Sequence, residues 1–249
     1  MSDFLKSLKT ESSSLRQTQA QEEERIEAIK KLYKHDVNPR LQKLYRFLKQ
    51  VVDHLNFLNK NIVADYKFPV IGTIKNFKQS DYIATVDDID EMGRIELLFN
   101  CHLEKPIVQV IQSKAEVTRL KDFLGEHLIH FESHTSYSPS GRAIGVKFEI
   151  ESQIPVQFTF VIDMDTLDID LDIYNFLHIG HHRITFRPHE LNNDLNDRIG
   201  KFIVRQDLGL IKLGMTVEDK AKIRKAIEAQ KKKSFMEKVI NTVYNPPTK

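Results

Sequence analysis

The sequence predicts an α+β protein: a long helix or helical hairpin at the amino end, then a mainly antiparallel sheet with packed helices, then a basic carboxy-terminal helix. Two observations carry this prediction. Before residue 62, apolar residues recur at alternating spacings of three and four, as in a coiled coil. Beyond it, short runs of alternating apolar and polar residues follow one another with few helical segments between them, which favours antiparallel pairing.

The predicted organisation has three parts. Residues 1–62 form a helical, coiled-coil-like extension with a disordered start, residues 63–215 form the antiparallel-sheet domain, and residues 216–249 form a basic amphipathic helix and tail. Of the 249 residues, 41% are hydrophobic and 29% are charged, which is typical of a globular chain with a buried core. The net charge is only +2, although both ends are basic, so the centre is acidic.

Three features of the sequence favour a cytoplasmic location. No apolar run approaches the ~20 residues that a membrane-spanning helix needs. The first residues lack the apolar block of a signal peptide. The single cysteine, Cys101, has no second cysteine to pair with, as is usual in a reducing compartment. Because Cys101 lies in the apolar run IELLFNCHL, we expect it to be buried and unreactive.

The clearest periodic pattern is a heptad seam in the first third of the chain. It comprises Leu41, Leu44, Leu48, Val51, Leu55, Leu58 and Ile62. Such a seam favours a coiled coil that assembles copies of the chain or binds a partner helix. A helix that packs on its own domain, or against residues 21–36, produces the same pattern, so both interpretations stay open.

The segment before the seam leaves a second choice open. Residues 1–20 are polar, so we expect them to be frayed or disordered. In the stretch HDVNPR, Asn38 is suited to cap a new helix and Pro39 to occupy its first position. The sequence therefore permits either a turn within residues 36–40 or one long helix with a kink there.

The middle of the chain contains most of the predicted strands. YKFPVIGTI, IELLFNCHL, PIVQVIQS and PVQFTFVI read as short strands. A helix is predicted after Ser113, with Glu116 completing a capping box. LIHFESH and RAIGVKFEIES flank a turn-rich segment and predict an antiparallel hairpin. Another helix is predicted in PHELNNDLNDRIGKFIVRQD.

Residues 161–182, VIDMDTLDIDLDIYNFLHIGHH, contain five aspartates and three histidines. Apolar and acidic residues alternate in this stretch, as in a strand with one apolar face and one solvent-exposed face. If the segment RITFR pairs with it, Arg183 and Arg187 lie opposite the aspartates and form ordinary cross-strand ion pairs. This interpretation needs no ligand, and we favour it; no cofactor or metal is expected.

The alternative interpretation of the same stretch is a metal or acid–base site. Its candidate residues are Asp168, Asp170, Asp172, His178, His181 and His182. Aspartates two positions apart on a strand are separated by about 6.5–7 Å, so one metal ion would need ligands from a neighbouring strand as well. The histidines lie in a predicted connection, and the sequence does not require them to converge.

The basic carboxy-terminal segment supplies a third possible interaction surface. Its cationic residues are Lys220, Lys222, Arg224, Lys225, Lys231, Lys232, Lys233 and Lys238. An amphipathic basic helix can bind a membrane surface or nucleic acid, or it can dock on the acidic centre of its own chain. Nucleic acid is disfavoured because there is no tryptophan and no interleaved basic and aromatic stripe.

The favoured function is therefore a non-enzymatic cytoplasmic interaction or scaffold protein, which self-associates or binds a protein partner through the heptad helix. Signatures of common nucleotide and catalytic sites, such as GxGxxG, GxxxxGK[ST], GxSxG and HExxH, are missing from the sequence. Two alternatives remain. One is a metal-assisted hydrolase that uses the Asp/His-rich residues 163–189, and the other is an adaptor that binds a membrane surface or nucleic acid through the basic tail.

Overall fold

The α+β class is confirmed by the computed structural model, which describes residues 3–127 and 129–212. Two sheets are present in these residues, and all their strand pairings are antiparallel. The larger sheet has the strand order β1-β2-β3-β7-β8-β9, and the smaller has the order β4-β6-β5. The strands are β1 Val63–Phe68, β2 Gly72–Val86, β3 Arg94–His102, β4 Ile107–Ile111, β5 Phe131–Tyr137, β6 Ala143–Ile150, β7 Gln153–Ile162, β8 Ile169–Tyr174 and β9 His181–Phe186.

The amino-terminal segment is one continuous helix rather than a hairpin. Helix α1 (Asp3–Leu32) runs through a π-helical turn (Tyr33–Val37) into helix α2 (Asn38–Leu58). The helix begins at Asp3, which differs from the disordered start expected from composition. Pro39 lacks an N–H, and its ring would crowd the carbonyl four residues earlier in a regular α-helix. The wider π turn directly before it accommodates the ring without breaking the helix.

Asn38 does not cap a helix, contrary to the sequence prediction. It lies inside the continuous helix, where its side chain is buried and makes tertiary hydrogen bonds instead. Its Nδ2 donates to the carbonyl of Asp90, and its Oδ1 accepts from the N–H of Met92 at 3.2 Å. Tyr33 donates from its hydroxyl to the carbonyl of Met92 at 2.9 Å. These bonds fix the β2–β3 loop to the helix at its π turn.

Helix α2 packs on the larger sheet over β2, beside helix α4 (Asn193–Ile203). The core between them is rich in aromatic side chains. Phe158 of β7 lies at its centre, with ring centroids 6.0 Å from Phe99, 5.0 Å from Phe176 and 5.9 Å from Phe202. All four side chains are at most 2% exposed. The aromatic core therefore joins two central strands, the turn after β8 and α4.

Strand β2 is longer than the sequence suggested, and its middle contains a β-bulge. The predicted strand YKFPVIGTI is wrong as one element, because a turn at Pro69–Ile71 splits it between β1 and β2. Between Ser80 and Ile83 the register with β3 shifts by one residue, so that two residues of β2 lie opposite one of β3. The bulge breaks the alternation of apolar and polar residues, which is why the pattern concealed this strand.

Helix α3 (Lys114–Glu126) and the hairpin of β5 and β6 agree with the sequence predictions. The hydroxyl of Ser113 accepts from the N–H of Glu116, which is the predicted amino-terminal cap. Strand β6 pairs with both β4 and β5. Within residues 3–127 and 129–212, no helix combines the length and the hydropathy that crossing a bilayer requires. The predicted basic helix at 216–249 lies outside the described residues.

Candidate functional site

The predicted heptad seam packs mainly on the chain's own sheet. Four of its leucines are each at most 7% exposed: Leu41, Leu44, Leu48 and Leu55. Val51 is half-buried, Leu58 is exposed, and Ile62 lies beyond the end of the helix, half-buried against the core. Burial on the larger sheet accounts for the seam without a partner helix. The coiled coil predicted for these residues is not confirmed.

Helix α1 presents a different surface from α2. Side chains of residues 11–28 are all exposed, and from there to Leu32 only Ile29 is partly buried. Leu15 is 60% exposed, Ile26 42% and Leu32 53%. The described part of α1 therefore has an almost completely solvated surface that includes large apolar side chains. It is the longest unpacked helical surface in the described residues.

The aspartate-rich strand β8 pairs with β9, as the favoured interpretation predicted. Arg183 lies opposite Asp172 in the register, and its Nε and Nη2 donate to the two carboxylate oxygens at 2.6 and 2.7 Å. Arg183 also lies 3.6 Å from Asp170, which accepts from the hydroxyl of Thr185 at 2.6 Å. The predicted role of Arg187 differs, because this residue precedes a 3₁₀ turn at Pro188–Glu190 instead of pairing within the sheet.

His181 joins this ion pair from the same face of the sheet. Its Nε2 lies 2.7 Å from Asp172 Oδ1, and its ring stacks on that of Tyr174 with centroids 4.5 Å apart. Because a carboxylate only accepts, the ring donates from Nε2 to Asp172. The Arg183 guanidinium, followed by the bond from His181, lowers the pKa of Asp172 below its ordinary value. Asp172 is only 8% exposed, so the carboxylate is held in one position.

Asp170 shares Arg183 with Asp172, but the other Asp and His candidates do not converge with Asp172 and His181. His178 is exposed in the turn between β8 and β9. His182 lies on the opposite face of β9 from His181, because successive side chains of a strand alternate. Asp168 precedes β8 beside the turn that follows β7. In the part of the chain that the structure describes, no three His, Cys, Asp or Glu side chains are grouped closely enough to hold a metal ion.

The Asp172 ion pair predicts a pH-dependent effect on stability. Replacing Asp172 with asparagine should lower the free energy of unfolding by about 1–3 kcal/mol at pH 7, since hydrogen bonds to charged groups contribute this much. The folded-state pKa is lowered, so this contribution is complete above the unfolded-state value of about 3.9 and fades as the pH falls through the folded-state value. Urea unfolding at pH 7 and at pH 3 measures the size of the loss and its decrease at low pH.

Asp165→Asn is the matched control for this prediction. Asp165 is exposed in the turn before β8, and the change removes one charge in the same way. We expect it to alter the unfolding free energy by less than about 0.5 kcal/mol at either pH. An equal loss in the Asp172 and Asp165 variants, or an Asp172 loss that is as large at pH 3 as at pH 7, would contradict the assignment.

Sequence reasoning missed a cavity that lies next to His181. It has a volume of about 620 Å³ and lies between the outer face of the larger sheet and the carboxy end of α3. Its lining includes Asp81, Asn100, Glu126, Gln157 and His181. These residues come from β2, β3, α3, β7 and β9, so no local motif could have indicated them.

Cys101 is buried, as predicted, and it is completely enclosed. The hydroxyl of Tyr66 donates to the carbonyl of Asn175 at 2.7 Å and lies 3.2 Å from the Cys101 sulfur. Burial raises the pKa of the Cys101 thiol, although the hydrogen bond from Tyr66 and the charge of Arg205 oppose this. The thiol is therefore held protonated inside the core, where it contributes packing.

Comparison of the chain with models of protein families, with curated proteins and with solved structures finds no match. The basic residues predicted to contact a partner, from Lys220 to Lys238, lie outside the described residues.

Proposed function

We propose that this chain is an interaction protein that self-associates by pairing helix α1 with α1 of a second copy. The observation that carries this proposal is the exposure of α1 over residues 11–32, in a helix that continues directly into the packed helix α2. Folded chains obtain most of their helix stability from packing of an apolar face. In the described part of α1, the chain's own sheets supply almost none of that packing.

The length of the exposed segment supports pairing with another helix. At 1.5 Å per residue, residues 11–32 extend over roughly 33 Å. Most of the stability of a helix in a folded protein comes from tertiary packing, and this length of α1 has almost none from its own chain. The run of three serines at positions 12–14 adds residues of only middling helix propensity. A second helix alongside α1 would provide the missing tertiary contact.

An apolar stripe on one side of α1 consists of Leu15, Ile26 and Ile29 and is interrupted by Glu22. At 100° per residue, Ile26 lies only about 20° around the helix from Leu15, and Ile29 about 40° from it. Charged residues flank the stripe, among them Arg25 and Lys30. A narrow apolar stripe with charged flanks is the surface that two-stranded helix pairs bury.

A second copy of the chain is the partner that fits this stripe. Each copy presents the same residues, and a two-fold axis brings identical surfaces together in a self-complementary contact. The heptad seam is not needed for this pairing, because its leucines are buried on the chain's own sheet. The pairing surface proposed for assembly therefore lies amino-terminal to the seam.

Native mass spectrometry of the full chain, with matched variants, tests this proposal. We expect the unsubstituted chain to have twice the chain mass at protein concentrations in the range of tens of micromolar. The double variant Leu15→Glu with Ile26→Glu should be monomeric, because it places charges within the apolar stripe. Both residues are exposed in the single chain, so its unfolding free energy should change by less than about 0.5 kcal/mol per substitution.

The control places the same two charges on the opposite side of the same helix. Ala20→Glu with Ala28→Glu changes exposed residues that lie about 140° around the helix from Leu15. This variant should keep the assembled mass. A monomeric unsubstituted chain would refute self-association, and so would equal dissociation of both double variants.

A further inference from the structure

The 620 Å³ cavity beside His181 has the size and position of a small-molecule site. Pockets for small ligands usually measure about 300–1,000 Å³ and have mainly apolar walls with a few placed polar groups. One wall is the outer face of β2, β3, β7 and β8, and the other is the carboxy end of α3. It lies on the face of the sheet opposite α2 and is independent of α1.

The walls combine an apolar floor with an aromatic pair. Ile83, Leu98 and Pro155 contribute apolar surface, and Ile83 is 54% exposed although it lies in the middle of a strand. Tyr174 and His181 stack with an interplanar angle of 29° at one side. An apolar body of a ligand would cover the floor, and the Tyr174 ring offers a π face that attracts a cation.

The formally charged side chains of the cavity are carboxylates, and amide side chains such as Asn100 and Gln157 also line it. Asp81 and Glu126 supply carboxylates, and no Lys or Arg occurs among the described residues that line the cavity. Glu126 is the last residue of α3, where the helix dipole adds partial negative charge. His181, which also lines the cavity, donates from Nε2 to Asp172. A ligand that matches the two carboxylates carries positive charge and N–H donors.

The β-bulge of β2 places Asp81 at the cavity. Gln79 and Tyr82 are both buried on the core side, although they are three positions apart in one strand. The extra residue of the bulge makes this possible, and Asp81 adopts a left-handed conformation with φ of 59°. A bulge of this kind redirects a side chain from its regular position in the strand. Its carboxylate accepts from the Ser80 hydroxyl at 2.6 Å.

We propose that this cavity binds a small organic cation, an amine attached to an apolar or aromatic body. The ammonium group contacts Asp81 and Glu126, and the apolar body covers Ile83 and Leu98. Neutral and anionic molecules with the same body have the right size for the cavity, but they lack the positive charge that complements its two carboxylates.

Isothermal titration with three probes that share one body tests this inference. The probes are 4-phenylbutylamine, 4-phenylbutan-1-ol and 4-phenylbutyrate, added to the full-length chain at pH 7. We expect the amine to bind about tenfold or more tighter than the alcohol, a difference of about 1.4 kcal/mol, and the anion to bind weakest. Asp81→Asn and Glu126→Gln should each weaken amine binding and leave alcohol binding unchanged. Asparagine tolerates the left-handed conformation at position 81, so this variant retains the bulge.

Glu151→Gln is the control, because Glu151 is exposed and does not line the cavity. It should bind the amine as the unsubstituted chain does, and thermal unfolding of each variant verifies that the fold is intact. The inference is overturned if no heat is observed with the amine up to about 1 mM, where a binding free energy of about −4 kcal/mol would be detected. It is also overturned if the alcohol or the anion binds as tightly as the amine. Neither outcome tests the pairing of α1, because native mass spectrometry measures that pairing independently.

Discussion

Replacing Phe158 with alanine is expected to lower the free energy of unfolding by about 3–5 kcal/mol, the usual cost of deleting a buried aromatic ring. Phe158 is fully buried, and it contacts the rings of Phe99, Phe176 and Phe202. Alanine would leave a cavity between two central strands and α4. Strand pairing holds these elements in place, so the neighbouring rings cannot close the space completely.

Equilibrium urea unfolding of the full chain measures this effect, with Phe57→Ala as the matched control. Phe57 lies in α2 and is 86% exposed, so the same deletion there should cost less than about 0.5 kcal/mol. A Phe158 variant that loses less than about 1 kcal/mol would be incompatible with an enclosed aromatic core. A typical domain has only about 5–15 kcal/mol of stability, so the expected loss is a large part of the total.

Replacing Leu48 with alanine is expected to lower the unfolding free energy by about 2–5 kcal/mol. Leu48 is completely buried at the centre of the heptad seam, where α2 packs on the larger sheet. The matched control is Leu58→Ala, ten residues further along the same seam. Leu58 is 56% exposed at the end of α2, and its replacement should cost less than about 0.5 kcal/mol.

The Leu48 variant also separates the two interpretations of the seam. If the seam packs within the chain, Leu48→Ala lowers the unfolding free energy and leaves the mass of the assembly unchanged. If the seam joined two chains, the variant would lower the assembly mass as well. The Leu15 and Ile26 double variant should behave in the opposite way, because its residues lie on the exposed surface of α1. If the two variants had the same effects on assembly mass and on unfolding free energy, α1 could not be the assembling helix while α2 packs within the chain.

Local features of the fold were predictable because short-range physics determines them. The amino-terminal cap of α3 at Ser113 follows from a hydroxyl three residues before a glutamate. The pairing of Arg183 with Asp172 follows from alternation in two successive strands joined by a short turn. In both cases the interacting residues are close in sequence, so few arrangements compete with the observed one.

Long-range features were beyond sequence reasoning because an apolar pattern indicates burial but not the surface that covers it. The heptad seam predicted a buried face equally well for a coiled coil and for a helix on a sheet. Continuity at Pro39 depended on a π turn, which tertiary bonds from Tyr33 and Asn38 hold in place. The bulge at Asp81 interrupts the alternation of apolar and polar residues in β2. Asp81 also adopts a left-handed backbone conformation, which is infrequent for aspartate, so the sequence did not indicate the bulge.

The sequence by itself therefore determined the α+β class, the antiparallel pairing of β8 with β9, and the wet face on which the aspartates lie. Only the tertiary structure decided that the seam of α2 is covered by the chain's own sheet and that α1 is left exposed. Only the tertiary structure brought Asp81, Glu126 and His181 to one cavity. The hydrophobic effect is not directional, so a periodic stripe specifies burial, whereas strand order and the packing of helices specify which surfaces meet.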